Sequence, residues 1–229
     1  MIKLQHVSKT YYTPAGDYPA LRNVDLEIRA GEFVAIAGKS GSGKSTLLNM
    51  VGGIDSPSSG SVEVGGRAIH ALRENQLAVW RGRNIGFVFQ FFQLLPTLTI
   101  AENVMLPMDF CRTFPVRDRR KRALDLLERV GVAAHADKLP SALSGGEQQR
   151  AAIARALANG PAVILADEPT GNLDSVTSAA VLGLFREMAS SGTTVVIATH
   201  ERDIAGVVDR KVEVADGALT TGTARETSQ

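Results

Sequence analysis

Apolar positions along the chain change period from one stretch to the next, and each change predicts a different kind of element. Residues 33–37 (Phe-Val-Ala-Ile-Ala) form an unbroken apolar run that predicts a buried strand, and Thr46-Leu-Leu-Asn-Met-Val51 predicts the opening turns of a helix after a glycine-rich junction. Residues 2–7 and 21–28 are strand-like. The second alternates Leu21, Val24, Leu26 and Ile28 with polar positions, which suits an antiparallel sheet with one wet face. A turn-forming cluster at residues 54–60 leads into short strands around Val62 and Val64, and residues 85–89 (Ile-Gly-Phe-Val-Phe) predict another strand. From about Thr99 to Asn159 the period becomes helical. Thr99 and Glu102 form a capping-box pair, and Leu124, Leu127 and Val130 share a face before Gly131 stops that helix. Strands return at residues 162–166 and 193–198, separated by a helix through Ala180 and Met188. Buried β-branched runs alternating with helices predict an α/β fold with a mostly parallel sheet covered on both faces. The predicted organisation is a single domain. Residues 1–90 and 160–220 make the core with its N-terminal antiparallel β subdomain, residues 95–159 an inserted α-helical subdomain, and residues 220–229 a flexible tail.

Composition narrows the class. With 229 residues and 44% hydrophobic content the chain can bury a real core, and disorder is excluded. A formal charge of +1 does not supply the broad positive field that bulk attraction to nucleic acid needs, so any polyanion must be met locally. The single Cys111 rules out an intramolecular disulfide and fits a reducing compartment. The N-terminus does not resemble a signal peptide, and no apolar run approaches the ~20 residues of a membrane helix. Work at a membrane is therefore expected to pass through a partner.

The glycine-rich junction, Gly38-Lys39-Ser40-Gly41-Ser42-Gly43-Lys44-Ser45, is a phosphate-binding pattern in the strand-to-helix setting it requires. Its glycines let consecutive N–H groups curl around a β-phosphate, with the positive helix end facing the same anion. Lys44 is predicted to reach the β- and γ-phosphates and the Ser45 hydroxyl to ligate Mg²⁺, with Thr46 next in the nucleotide-binding run. The sheet is thus expected to be a P-loop NTPase core. Asp167 and Glu168 follow directly on the strand at residues 162–166, at the carboxyl end of the sheet where open α/β folds bind ligands. Asp167 is predicted to hold Mg²⁺, directly or through water, and Glu168 to accept a proton from the water that attacks the γ-phosphate. His200 ends its own strand in the same way and is a candidate donor to that phosphate. A second anion site is predicted at Leu143-Ser-Gly-Gly-Glu-Gln-Gln-Arg150. There Ser144 and Glu147 cap a helix running to Asn159, while Gly145 and Gly146 leave its first N–H groups unshielded. A chain with one complete triphosphate loop gains little from this second tip unless the tip serves another copy, so head-to-tail pairing is expected.

Together these residues resemble the ATPase subunits of ABC transporters over nearly the whole chain. Residues 143–148 are similar to that family's signature motif, residues 38–45 to its Walker A loop, and residues 163–168 to its Walker B strand and catalytic glutamate. The resemblance further implies that Gln90 is the glutamine linking Mg²⁺ to the helical subdomain, that Asp174 belongs to the D-loop, and that His200 is the switch histidine. It also implies an aromatic stacked on adenine, Tyr11 or its neighbour Tyr12. Leu-Ala-Asp-Glu-Pro-Thr-Gly-Asn-Leu-Asp174 and Phe-Gln-Phe-Phe-Gln-Leu-Leu-Pro96 resemble the subgroup that pairs with four-helix permeases of the MacB and LolD type, in export, lipoprotein release or mechanical signalling. Lys39 and Glu201 depart from the subgroup's commonest residues at positions with no catalytic role. The resemblance implies an ATP- and Mg²⁺-dependent homodimer, cytoplasmic and peripheral on the membrane, with a permease docking near residues 90–96. The rival reading is a soluble ABC-type ATPase acting on DNA or ribosomes, for which the basic run Arg117-Asp-Arg-Arg-Lys-Arg122 would be the contact. A solvated helix face is the expectation for that run, and no nucleic-acid partner is expected.

Overall fold

The computed structural model describes residues 1–14, 16–200 and 203–220. A four-stranded antiparallel sheet contains β1 (Ile2–Thr13), β2 (Gly16–Ile28), β4 (Ser59–Val64) and β5 (Arg67–Ala68), in the order β2-β1-β4-β5. The main sheet has six strands, β3 (Phe33–Ala37), β6 (Ile85–Phe89), β7 (Val163–Asp167), β8 (Thr194–Thr199), β9 (Arg210–Ala215) and β10 (Ala218–Thr220), in the order β10-β9-β3-β8-β7-β6. All of its pairings are parallel except β9 with β10. Among the described residues there are six α-helices: α1 (Lys44–Gly52), α2 (Glu74–Asn84), α3 (Ile100–Cys111), α4 (Val116–Arg129), α5 (Gly145–Ala156) and α6 (Ser175–Ser190).

Strand periodicity builds two cores on the two faces of the main sheet. Phe33 and Ala35 pack with Val88, Ile197 and the apolar stripes of α3, α4, α5 and α6. Val34 and Ile36 point the other way, into α1 and the antiparallel sheet, among Leu47, Leu48, Leu4, Val62 and Ile28. Because both faces are covered, β3 is apolar at every position rather than alternating. The wet-faced β2 does alternate: Val24, Leu26 and Ile28 are buried beside exposed Asp25 and Glu27. Leu21 keeps the same face despite its odd spacing because Asn23 takes φ 47° and the register of β1 and β2 shifts there.

Several boundaries depart from the sequence reading. The first two strands extend to residues 13 and 16, where Tyr11 pairs with Tyr18 and Thr13 with Gly16, because the hairpin ladder carries a polar stretch that has no apolar alternation of its own. α2, β9 and β10 went unpredicted; in α2 only Leu77 and Trp80 are buried, too few to give a period. The signature helix ends at Ala156 rather than Asn159, whose side chain instead donates to the Gly82 and Pro107 carbonyls at 2.7 and 2.9 Å. Thr220, placed in the tail, is the last residue of β10 and pairs with Glu213; residues 221–229 lie outside the described residues, as does Glu201. Both capping boxes are present, Thr99 with Glu102 and Ser144 with Glu147.

Three arginines of the basic run are bonded locally, while Arg117 and Lys121 are exposed. Arg119 bonds Asp109 at 2.6 Å and the Phe114 carbonyl, Arg120 bonds Asp137 at 2.7 Å, and Arg122 donates to Ala158 while lying over the Phe114 ring.

Candidate functional site

Strand register brings the separate motifs into one row. Ala37 is the partner of Thr199, Asp167 of Ala198, and Phe89 of Asp167, so the carboxyl ends of β3, β8, β7 and β6 stand side by side. The residues that follow them are Gly38, His200, Glu168 and Gln90. Motifs more than a hundred residues apart in sequence thereby converge on one sheet edge, where open α/β folds place ligands.

The phosphate loop leaves β3 and enters α1 through Gly43, which sits at φ 109° with no side-chain cap on the helix. A Cβ there would lie 2.6 Å from the Ala20 carbonyl oxygen, so only glycine fits both the conformation and the approach. With no side chain in the way, the first N–H groups of α1 face outward at the positive helix end. Lys44 is buried and its Nζ donates to the Gly38 and Lys39 carbonyls at 2.9 and 3.0 Å, which holds the ammonium inside the loop's concavity. Gly38, Ser40, Gly41, Ser42 and His200 line a cavity of about 730 Å³. Lys39 is exposed at its rim.

At the end of β7 the two acids diverge. Asp167 continues the strand, whereas Glu168 turns into the left-handed region at φ 46°, fixed by its N–H donating to Ala198 at 2.9 Å and its carbonyl accepting from Gly171. Burial pushes the Asp167 carboxyl above its ordinary range, and the neighbouring Glu168 adds to this; a Ser45 hydrogen bond and the Lys44 charge oppose it. Glu168 Oε1 lies 3.2 Å from His200 Nδ1, so the candidate base and the candidate switch are already in contact. Gln90 is half-buried and sits against the turn after Glu168: Asn172 donates to its carbonyl at 3.1 Å, and its side-chain amide nitrogen would be 2.9 Å from any Cβ at Gly171. Among the described residues no group of three or more His, Cys, Asp or Glu could hold a metal. The donor set at this edge is instead one hydroxyl, one carboxylate and one amide, hard oxygen donors that suit Mg²⁺ shared with phosphate oxygens.

The second cluster gathers around the start of α5. Ser144, Gly145, Gly146, Glu147, Asn172 and Asp174 line a separate cavity of about 260 Å³ that contains no phosphate-loop residue. The Ser144 hydroxyl donates to Glu147 Oε2 at 2.7 Å, and these Ser144 hydrogen bonds, with His135 beside them, hold the Glu147 carboxyl below its usual range. Asp174 is committed to α6: one oxygen accepts from the Val176 and Thr177 amides at 3.0 Å and the other from the Thr177 hydroxyl at 2.6 Å. Its first role is therefore a helix cap that sets the edge of this cavity.

Two residues that spacing could not reveal tie the clusters together. Gln149 is fully buried, and its Nε2 donates to the Pro169 carbonyl at 2.7 Å, joining α5 to the turn after Glu168. Arg155, whose guanidinium pKa is lowered by burial, donates to the Phe92 carbonyl at 2.8 Å and also to that of Gln93. Those two residues take φ 50° and 53°, so the guanidinium pins a left-handed pair just after Gln90. On either side of them Phe91 and Leu95 are exposed. On the opposite side of the loop, Tyr11 and Tyr18 are cross-strand partners and share a face, and Tyr18 donates to the Gly41 carbonyl at 2.9 Å. Tyr12 alternates to the other face of the hairpin and is 77% exposed.

A phosphate loop, an acid pair and a histidine aligned on one parallel sheet edge, with an inserted helical region, define a P-loop ATPase of cassette architecture. The family model described as ABC transporter matches residues 21–171, and the chain belongs to that family. The ABC transporter ATP-binding protein YknY of Bacillus subtilis (strain 168) is 44% identical over 228 residues, covering 100% of this chain and 99% of that one. The macrolide export ATP-binding/permease protein MacB of Nitrosomonas europaea is 47% identical over 222 residues, covering 96% of this chain but 33% of MacB. This chain therefore spans about a third of such fused proteins. Among solved structures, the ATP-binding cassette MJ0796, in a dimeric post-hydrolysis state bound to ADP and Pi, superposes with a TM-score of 0.92 at 43% identity over 100% of both chains. The chain is an ATP-binding, ATP-hydrolysing subunit of an ABC transporter, and the soluble reading on DNA or ribosomes is not favoured.

Proposed function

We propose that two copies close head to tail over two ATP molecules and that this clamp drives a separate membrane permease of the MacB and LolD type. The observation that carries the reading is that the chain holds two cavities with no residue in common, one lined by Gly38–Ser42 and His200 and the other by Ser144–Glu147. In this reading each half would complement the other across a two-fold axis. The dimeric form of MJ0796, bound to ADP and Pi, supports pairing of two copies.

In this reading the loop N–H groups and Lys44 hold the β- and γ-phosphates, Tyr11 stacks on adenine, and Ser144 and Gly146 of the opposite copy meet the γ-phosphate. Ser45, Asp167 and Gln90 would hold Mg²⁺, which when bound neutralises charge on the β- and γ-phosphate oxygens. Glu168 takes a proton from the attacking water as the new P–O bond forms and the bond to the β-γ bridging oxygen breaks, giving ADP and phosphate. His200 steadies Glu168 and donates toward the γ-phosphate. The permease docks at residues 90–96, where exposed Phe91 and Leu95 adjoin the loop that Arg155 ties to α5. The cytoplasmic, peripheral placement through the permease in this reading rests on membership of the ABC transporter family. The local bonding of Arg119, Arg120 and Arg122 supports the reading of the basic run as a solvated helix face.

Mixing two inactive variants tests the sharing. Lys44→Ala spoils the loop half and Ser144→Arg spoils the tip half, so each alone should be inactive. A 1:1 mixture forms heterodimers with one intact composite site, and ATPase activity should reappear. A mixture as inactive as its components would overturn the shared-site reading.

A further inference from the structure

The hairpin that carries Tyr11 contains an ion pair that no phosphate or acid motif uses. Lys9 Nζ donates to Asp55 Oδ1 at 2.7 Å and to the Ser56 carbonyl at 2.9 Å, while the Tyr11 hydroxyl donates to the other oxygen, Asp55 Oδ2, at 3.0 Å. The same ammonium stands 4.9 Å from the centroid of the Tyr11 ring. Lys9 is largely sequestered, its side chain 13% exposed against 30% for Asp55. One carboxylate thus bridges the cation behind the ring and the hydroxyl at its tip.

We infer that Lys9 and Asp55 form a positioning clamp that holds Tyr11 as a preset platform for the purine base. This rests on the proposed stacking of adenine on Tyr11. Three features of the geometry give the clamp that function. The ammonium occupies one π-face, so a base can stack only on the other. The hydroxyl bond fixes the ring's tilt, and the Thr46 hydroxyl at the start of α1 lies within the same network, so the orientation is referenced to the phosphate loop itself. A ring already held in place loses little side-chain freedom when the base arrives, which lowers the entropic cost of binding. The cation and carboxylate also compensate each other, so the clamp adds orientation without a net charge beside the nucleotide. Burial alone would raise the Asp55 carboxyl, yet the bonds from Lys9, the Ser56 amide and Tyr11 hold it below its ordinary value, which keeps it ionised as a bridge.

The clamp acts on the base and not on the phosphates, and that difference supplies the test. Affinities of the full-length protein for AMPPNP and for inorganic tripolyphosphate are measured for wild type, Lys9→Met, Lys9→Arg, Asp55→Ala and Tyr11→Ala. Lys9→Met and Asp55→Ala should weaken AMPPNP about three- to tenfold, from the lost cation–π contact and lost preorganisation, with tripolyphosphate unchanged. Lys9→Arg should restore AMPPNP affinity, because a guanidinium also stacks on the ring. Adding Lys9→Met to Tyr11→Ala should cost nothing further. An equal loss of both ligands would make the pair a structural element only and overturn the inference. If Tyr11→Ala weakens AMPPNP selectively but Lys9→Met and Asp55→Ala do not, the clamp fails while base stacking stands. If Tyr11→Ala leaves AMPPNP binding intact, stacking itself fails and takes the clamp with it.

Discussion

Asp167 and Glu168 are adjacent, yet the structure gives them opposite situations. Asp167 stays in the strand, where burial raises its carboxyl; Glu168 bends into a left-handed conformation and meets His200. For Glu168 the expected consequence is catalytic: Glu168→Gln keeps the shape but cannot take a proton, and phosphate release should slow by ~10²–10⁴. Wild-type turnover in that variant would remove Glu168 from the reaction. For Asp167 the consequence is thermodynamic. An acid whose folded pKa lies above its unfolded value is destabilising when ionised, a cost present above the folded pKa and lost as pH falls through it toward the ordinary 3.8. Asp167→Asn should therefore raise the melting temperature at neutral pH while abolishing Mg²⁺-dependent ATPase activity, and the gain should shrink as pH falls through the raised Asp167 value. Melting curves across that range check the sign.

Among the elements, α5 is the connector. Its start carries the Ser144 and Glu147 cap, its interior the buried Gln149, and its last turn Arg155, so one helix touches the signature tip, the turn after Glu168 and the loop after Gln90. The helix runs close against β6: a Cβ on Gly86 would lie 2.4 Å from the Ala156 carbonyl oxygen, so no side chain fits at Gly86, and the α5 residues turned inward are mostly alanines. Replacing Arg155 by Met keeps the stem but strips the Phe92 and Gln93 carbonyls of their donor. A cost of about 1–3 kcal/mol is expected, with faster amide exchange confined to residues 91–95. Unchanged exchange there would show that the left-handed pair is held by other contacts.

At the scale of the whole molecule the proposed sharing of two half-sites sets the expectation. On the proposed head-to-tail reading, ATP should drive Glu168→Gln into a stable dimer, since the variant would bind nucleotide and only slowly cleave a γ-phosphate shared by the two copies. Adding Ser144→Arg should return it to monomer, which light scattering distinguishes directly. Much of this architecture was legible along the chain, because its carriers are local. The strand at residues 33–37, the phosphate loop, both capping boxes and the acid pair each depend on spacing within a few residues, and the corresponding elements are present. What was not legible depends on partners distant in sequence. α2 buries too few residues to show a period, and β9 exists as a strand through its pairing with β3. Lys9 meets Asp55 across 46 positions and Arg155 meets Phe92 across 63, separations at which no pattern of residue types marks a contact. By itself, then, the sequence determined where the phosphate-loop pattern, the acid pair and the capped helix starts lie, because turn geometry and helix capping are written within a single turn of chain. The packed sheet alone decided how those groups face one another and which tyrosine turns toward the loop, because register and burial are properties of strands meeting across the molecule.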